Sequence, residues 1–144
     1  MSEMPYVKQQ YDTRLMYSDV FNGVFKNGFR IFRNQFYRDL PKTYGALVKL
    51  FESGGDLIGI MEHGILRIPI DERALSGASS GGPVYVNSEN VISEPFVLSD
   101  TFGSTFADSV IQTDMGIYGV DAHAKKIWFL KDGSAPILLS DFKL

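Results

Sequence analysis

Apolar and polar positions alternate along this chain in runs only a few residues long, rich in Val, Ile, Tyr and Phe and punctuated by glycine, so the pattern predicts many short strands joined by tight turns and no long helix. The clearest unit is Ala46-Leu-Val-Lys-Leu-Phe51, the turn Glu52-Ser-Gly-Gly-Asp56 and Leu57-Ile-Gly-Ile-Met61, an apolar run broken by residues suited to positive φ; this predicts a hairpin. A second turn, Glu62-His63-Gly64, leads into Ile65-Leu-Arg-Ile-Pro-Ile70. There Ile65, Arg67 and Pro69 share one face and Leu66, Ile68 and Ile70 the other, predicting one buried and one partly wet face. Pro69 has no N–H for a ladder, so this strand is expected to lie at an edge or to end there.

The C-terminal part repeats the logic. Gly116-Ile-Tyr-Gly-Val120, a turn at Asp121 to Lys125, Lys126-Ile-Trp-Phe-Leu130, a turn at Lys131-Asp-Gly-Ser134 and Pro136-Ile-Leu-Leu139 predict a three-stranded meander. Residues 54 to 70 and 114 to 130 each give a Gly-containing strand, a turn with an acid and a His, and a second strand ending in large apolar residues. That weak repeat, about 60 residues apart, fits a propeller blade period with long insertions. The expected fold is mainly β: an antiparallel meander of short strands with partial β-propeller-like blades, in one domain over residues 1–144. Residues 71–82, with little apolar periodicity and many Gly and Ser, are expected to form a flexible loop after a short helical turn. Pro83 to Val86 and Phe96 to Leu98 are further short strands, and Thr105 to Ile111 fits a helical turn or a strand. Phe25-Lys-Asn-Gly-Phe29 carries another hairpin signal, an Asn-Gly turn between aromatics.

Composition narrows the function classes. The 144 residues include 11 Phe and 7 Tyr, enough bulky apolar surface to fold. With 14 Lys plus Arg against 17 Asp plus Glu, the chain has no excess positive field to condense on phosphates or an anionic bilayer, which disfavours nucleic acid and membranes. The absence of Cys removes disulfides, thiolate metal sites and Cys nucleophiles. No window has the apolar length of a spanning helix, and Met1-Ser-Glu-Met-Pro-Tyr6 lacks the basic-then-apolar signature of an export signal.

Candidate chemistry is sparse. Gly77-Ala-Ser-Ser-Gly81 matches Gly-x-Ser-x-Gly and Ser80-Gly-Gly-Pro-Val84 is similar to a protease nucleophile segment, yet no strand precedes the serine and no helix opens at Gly82-Pro83. Glu62-His63 and Asp121-x-His123 offer imidazoles and carboxylates without a third ligand at metal spacing. The expectation is therefore a non-enzyme with no catalytic residue, cofactor, metal or small-molecule substrate. The alternation Phe29-Arg-Ile-Phe-Arg33 with Phe36-Tyr-Arg38 fits base stacking or, in an acidic chain, an amphipathic strand whose arginines face solvent or pair with acids of a neighbouring subunit. Phe29, Arg30, Phe32 and Arg33 are the candidate interface residues. Trp128 reads first as a core anchor and second as an interface hot spot, and completes that set.

Three stretches, Tyr44-Gly-Ala-Leu-Val-Lys-Leu-Phe51, Glu62-His-Gly-Ile-Leu-Arg-Ile-Pro-Ile70 and Gly116-Ile-Tyr-Gly-Val-Asp-Ala-His-Ala-Lys-Lys-Ile-Trp128, resemble large tail proteins of tailed bacteriophages, particularly crAss-like phages, and more loosely tail-nozzle or stabilisation proteins built on a β-propeller. The resemblance spans roughly residues 15 to 144. It implies a structural component of the virion tail, assembled in the host cytoplasm, whose partners are other phage tail proteins or identical subunits. Such proteins are several times longer and their pattern continues beyond Leu144, so the resemblance implies a fragment or truncated relative with open sheet edges that need a partner. A carbohydrate- or receptor-binding β-module is the alternative, drawn from the exposed aromatics and Gly-rich loops.

Overall fold

The computed structural model describes residues 10–19, 30–70, 91–131 and 135–141. Their regular elements are strands and single turns of 3-10 helix. β1 (Arg14–Met16) and β2 (Tyr37–Asp39) form an antiparallel ribbon. β3 (Leu47–Ser53), β4 (Asp56–Met61), β5 (Ile65–Ile68) and β6 (Phe96–Ser99) form one four-stranded antiparallel sheet in chain order. β7 (Val110–Thr113), β8 (Gly116–Asp121), β9 (Lys126–Leu130) and β10 (Ile137–Leu138) form a second, again in chain order. The fold is thus mainly β and built of meanders.

Turn chemistry sets the hairpins. Between β3 and β4, Gly54 and Gly55 sit at φ 62° and 88°, the two consecutive positive values that a tight two-residue hairpin turn demands. Pairing of Ser53 with Asp56 closes the register. The sixty-residue echo is structural: Asp56–Met61 and Gly116–Asp121 are each the second strand of their sheet and each six residues long. Thr105 to Ile111 contains both alternatives, a 3-10 turn at Ala107–Ser109 and then the start of β7. β5 stops at Ile68, before Pro69, and lies inside its sheet between β4 and β6. Residues 71–82, the strand expected at Pro83 to Val86 and the hairpin at Phe25 to Phe29 lie outside the described residues.

The two faces expected for β5 are found: Leu66 and Ile68 are buried on one, while on the other Arg67 keeps 41% of its side chain exposed beside buried Ile65. Ile65, Leu66 and Ile68 are all buried, because the first sheet is the middle of three layers. Ile58, Ile60 and Ile65 project to one side and meet Val110, Ile117, Trp128 and Leu130 of the second sheet. Met61, Leu66 and Ile68 project to the other and meet Leu15 and Leu40 of the ribbon region, with Ile92 beside them. Arg67, the polar member of β5, is half-buried and donates to the Asp56 carboxylate at 2.7 Å on the paired strand, so its charge has a partner.

The two sheets are locked by the segment that connects them. Trp128 is fully buried; its ring rests on Gly119, its cross-strand partner, and its Nε1–H donates to the Gly103 carbonyl at 2.9 Å. The Gly103 N–H donates to Oδ2 of buried Asp121 at 2.9 Å, and the next residue, Ser104, donates its N–H to the Met61 carbonyl at the end of β4. The Gly103–Ser104 peptide is therefore held at its carbonyl by the second sheet and at its N–H by the first. A Cβ at 103 would overlap the Met61 carbonyl and lie 2.8 Å from the Gly64 nitrogen, so only glycine allows this approach.

Removing the indole empties the centre of the core and orphans the Gly103 carbonyl. Trp128→Ala is expected to lose about 3–5 kcal/mol of unfolding free energy. Gly103→Ala, pressed against backbone that cannot rotate away, is expected to lose about 3 kcal/mol. Urea unfolding of the two variants checks both, and a loss below about 1 kcal/mol for either would contradict the lock.

Candidate assembly surfaces

The sequence-derived interface residues separate in space. Phe29 lies outside the described residues. Arg30 is exposed and Phe32 is 57% exposed, both in irregular chain ahead of β2. Arg33 donates from Nε to Asp19 at 2.9 Å and lies 6.0 Å from the Phe36 ring, so its acid partner is in its own chain. Trp128 is a correction: a side chain with no exposure and its N–H committed to Gly103 serves the core and offers nothing to another molecule. Phe36 is also buried, stacked on Tyr17 with ring centroids 5.4 Å apart. The aromatic alternation there is partly a core pattern.

The two histidines, sixty residues apart in sequence, come together across the sheet seam with ring centroids 6.1 Å apart. The structure leaves the turn carboxylates on other tasks. Asp121 is buried and accepts from the N–H groups of Gly103, His123 and Ala124 at 2.9 to 3.0 Å. Glu62 lies along Gly45. Among the described residues no three of His, Cys, Asp and Glu group as metal ligands would. Ser80, the other candidate for chemistry, lies outside the described residues.

A cleft of about 420 Å³ opens between the ribbon and the β4–β5 turn, lined by Tyr11, Asp12, Arg14, Asp39, Lys42 and Glu62 among others. Arg14 donates to both carboxylate oxygens of Asp39, at 2.8 and 3.1 Å, and its guanidinium lies 3.9 Å from the ring centroids of both Tyr11 and Tyr37. The hydrogen bond from Arg14 is the main reason the Asp39 carboxyl is held below the usual carboxylate range; burial opposes it, and the charges of Arg14 and Lys42 add to it. The same hydrogen bond raises Arg14.

The surface that sequence reasoning missed is the outer face of the second sheet. Alternation along β8 and β9 turns Ile117, Gly119, Asp121, Trp128 and Leu130 inward, which sends Tyr118, Val120, Ile127 and Phe129 outward. Cross-strand register aligns Ile111, Tyr118, Phe129 and Ile137 into one row across all four strands, with Val120 opposite Ile127 beside it. Tyr118 and Phe129 are in ring contact at 4.5 Å. Ile111, Val120, Ile127 and Ile137 are 40 to 56% exposed. The corresponding face of the first sheet is covered by the ribbon; none of the described residues covers this one. The signal was present in the sequence, since β9 is apolar at every position after Lys126 and so has apolar side chains for both faces.

No protein-family model matches the chain, and no curated protein matches it.

Because Asp39 is depressed in the folded chain, its pairing stabilises the fold at pH values above its unfolded value and loses that effect as pH falls through the lower folded value. Acid unfolding followed by circular dichroism between about pH 6 and pH 2 should therefore show wild type losing stability that Asp39→Asn never has, the two converging at the acid end. A constant gap across that range would contradict the assignment.

Proposed function

We propose that the chain is a non-catalytic structural component of a phage virion tail that works by protein–protein contact, its partners being other tail proteins or identical subunits. The observation that carries this reading is the apolar row Ile111, Tyr118, Phe129 and Ile137 on the second sheet, exposed at both ends, half-buried in the middle and covered by none of the described residues. Contiguous exposed apolar surface on a folded domain marks an interaction site, because leaving it in water forfeits roughly 25 cal/mol for each Å² that a partner would cover. Two four-stranded meanders packed face to face, each in sequential strand order, are also the arrangement that blades of a propeller repeat. The phage setting rests on the resemblance of residues 44–51, 62–70 and 116–128 to tail proteins. Mass spectrometry of purified particles of the encoding phage should find the chain at a fixed ratio to other tail proteins, and its absence from the particle would sink the proposal.

A second reading, a carbohydrate- or receptor-binding module, is favoured by the cleft. Tyr11 is 55% exposed, and Asp12, Glu62 and Lys42, which line the same cleft, supply acceptors and a donor of the kind a polyhydroxy ligand uses. On a glycan array that reading expects saturable binding that Tyr11→Ala abolishes; no signal above background would remove it.

A further inference from the structure

We propose that His63 and His123 form a two-imidazole site for a late first-row divalent metal ion, Zn²⁺ or Cu²⁺, which clips the two four-stranded sheets together at one end of their seam. The proposal concerns the single chain and does not depend on a role in a phage tail.

The fold, not the sequence, brings these rings together. His63 stands in the β4–β5 turn of the first sheet and His123 in the β8–β9 turn of the second. Gly103 sets the distance between the turns. Its N–H is held by Asp121, two residues before His123, and a Cβ on it would lie 2.8 Å from the nitrogen of Gly64, the residue after His63. Each histidine backbone is fixed in its own turn as well: the His63 N–H donates to the Tyr44 carbonyl and the His123 N–H to Asp121 Oδ1, both at 2.9 Å. Only the two side chains need ordering when an ion binds, which keeps the entropic cost small.

The spacing suits a shared ion. The ring centroids are 6.1 Å apart, the ring planes are inclined at 48°, and both residues are exposed. With metal–nitrogen bonds of roughly 2.0–2.1 Å, two imidazoles on one ion have centroids about 5.3 Å apart at the tetrahedral angle and about 6.5 Å apart when opposite each other. The observed separation falls inside that span, so small rotations about the side-chain bonds bring both rings on to one ion. No ring nitrogen of either histidine is hydrogen-bonded to a described residue, which leaves the lone pairs available.

The donor set selects the ion. Imidazoles without a carboxylate suit Zn²⁺, Cu²⁺ and Ni²⁺, and give Ca²⁺ or Mg²⁺ none of the oxygen ligands those ions require. Among the described residues no acid joins the pair as a third ligand, so the remaining coordination positions fall to water. With two protein ligands and no group steadying the second nitrogen of either ring, binding is weak, with Kd for Zn²⁺ in the ~10–100 µM range. An ion held there closes a loop of sixty residues and ties, from outside, the joint that Gly103 holds from within.

Isothermal titration of the full 144-residue chain, freed of any polyhistidine tag, tests this. The expected result is one Zn²⁺ per chain, tighter binding of Cu²⁺ and no heat from Ca²⁺ or Mg²⁺. His63→Ala and, independently, His123→Ala should each weaken Zn²⁺ binding about tenfold or more, and the corresponding glutamine variants should do the same. All four should keep the far-UV spectrum and metal-free unfolding midpoint of wild type, since both rings are exposed. Zn²⁺ at about 1 mM should raise the wild-type midpoint by about 2–5 °C and leave the variants unmoved. Sedimentation with Zn²⁺ present should find a monomer. No binding up to about 1 mM Zn²⁺ overturns the proposal, as does a loss below about tenfold in either alanine variant. A Zn²⁺-dependent dimer overturns it too, because the two rings would then serve different chains.

Discussion

The packing of the two four-stranded sheets passes through the peptide at Gly103. The second sheet grips it from two directions, through the Asp121 carboxylate and the Trp128 indole, and the first sheet stops it at the Met61 carbonyl. Neither sheet alone could bury its apolar face: a lone four-stranded meander leaves Ile58, Ile60 and Ile65, or Ile117, Trp128 and Leu130, in water. Hydrophobic contact is non-directional and would tolerate many sliding arrangements of one flat face on another. The Gly103 hydrogen bonds are directional, so they choose one. Asp121 matters here for more than the single bond. Its other oxygen takes two N–H groups of the β8–β9 turn, so turn geometry and sheet-to-sheet position are set by one buried carboxylate.

That arrangement explains which parts of the fold were legible. Hairpins were, because their information is local: Gly54 and Gly55 state the turn, and Leu57 to Met61 state the strand. The echo of residues 54–70 in 114–130 was also legible, and it corresponds to two second strands of equal length. The lock was not, because its parts are scattered. Gly103 has nothing in its neighbourhood that announces a close approach, and Asp121 looks like an ordinary solvated turn acid until Gly103 returns from a different part of the chain. What covers the buried face of β5 was hidden for the same reason. Alternation of Leu66 and Arg67 speaks of one strand's two faces, whereas the cover over Leu66 and Ile68 comes from Leu15 and Leu40, far away in sequence.

Candidate functional residues follow the same division. Trp128 was recognisable as a large anchor, but whether an indole anchors a core or an interface depends on what lies above it, and here the rest of the chain does. Arg33 was recognisable as a charge seeking an acid, and Asp19 of the same chain supplies it. The outer row Ile111, Tyr118, Phe129 and Ile137 joins residues from four strands that only register brings into line, so no single stretch of sequence displays it.

Open sheet edges were the expected points of association, and on the second sheet those edges are short or tied. β10 is two residues long, too short to template another strand. At the other edge of the second sheet, Lys49 donates to the carbonyls of Ala107 and Val110, and Gln112 reaches the Glu52 carbonyl, so β7 is tied to the first sheet by side chains. An added strand would have to displace those bonds, while a layer laid on the outer face meets none of them. Edge addition therefore costs interactions that face-to-face packing leaves intact, and the apolar row makes that second route favourable. If this chain works in an assembly, the contact should be a stacking of layers, and the seam between its own two sheets shows what such a contact looks like when it is complete.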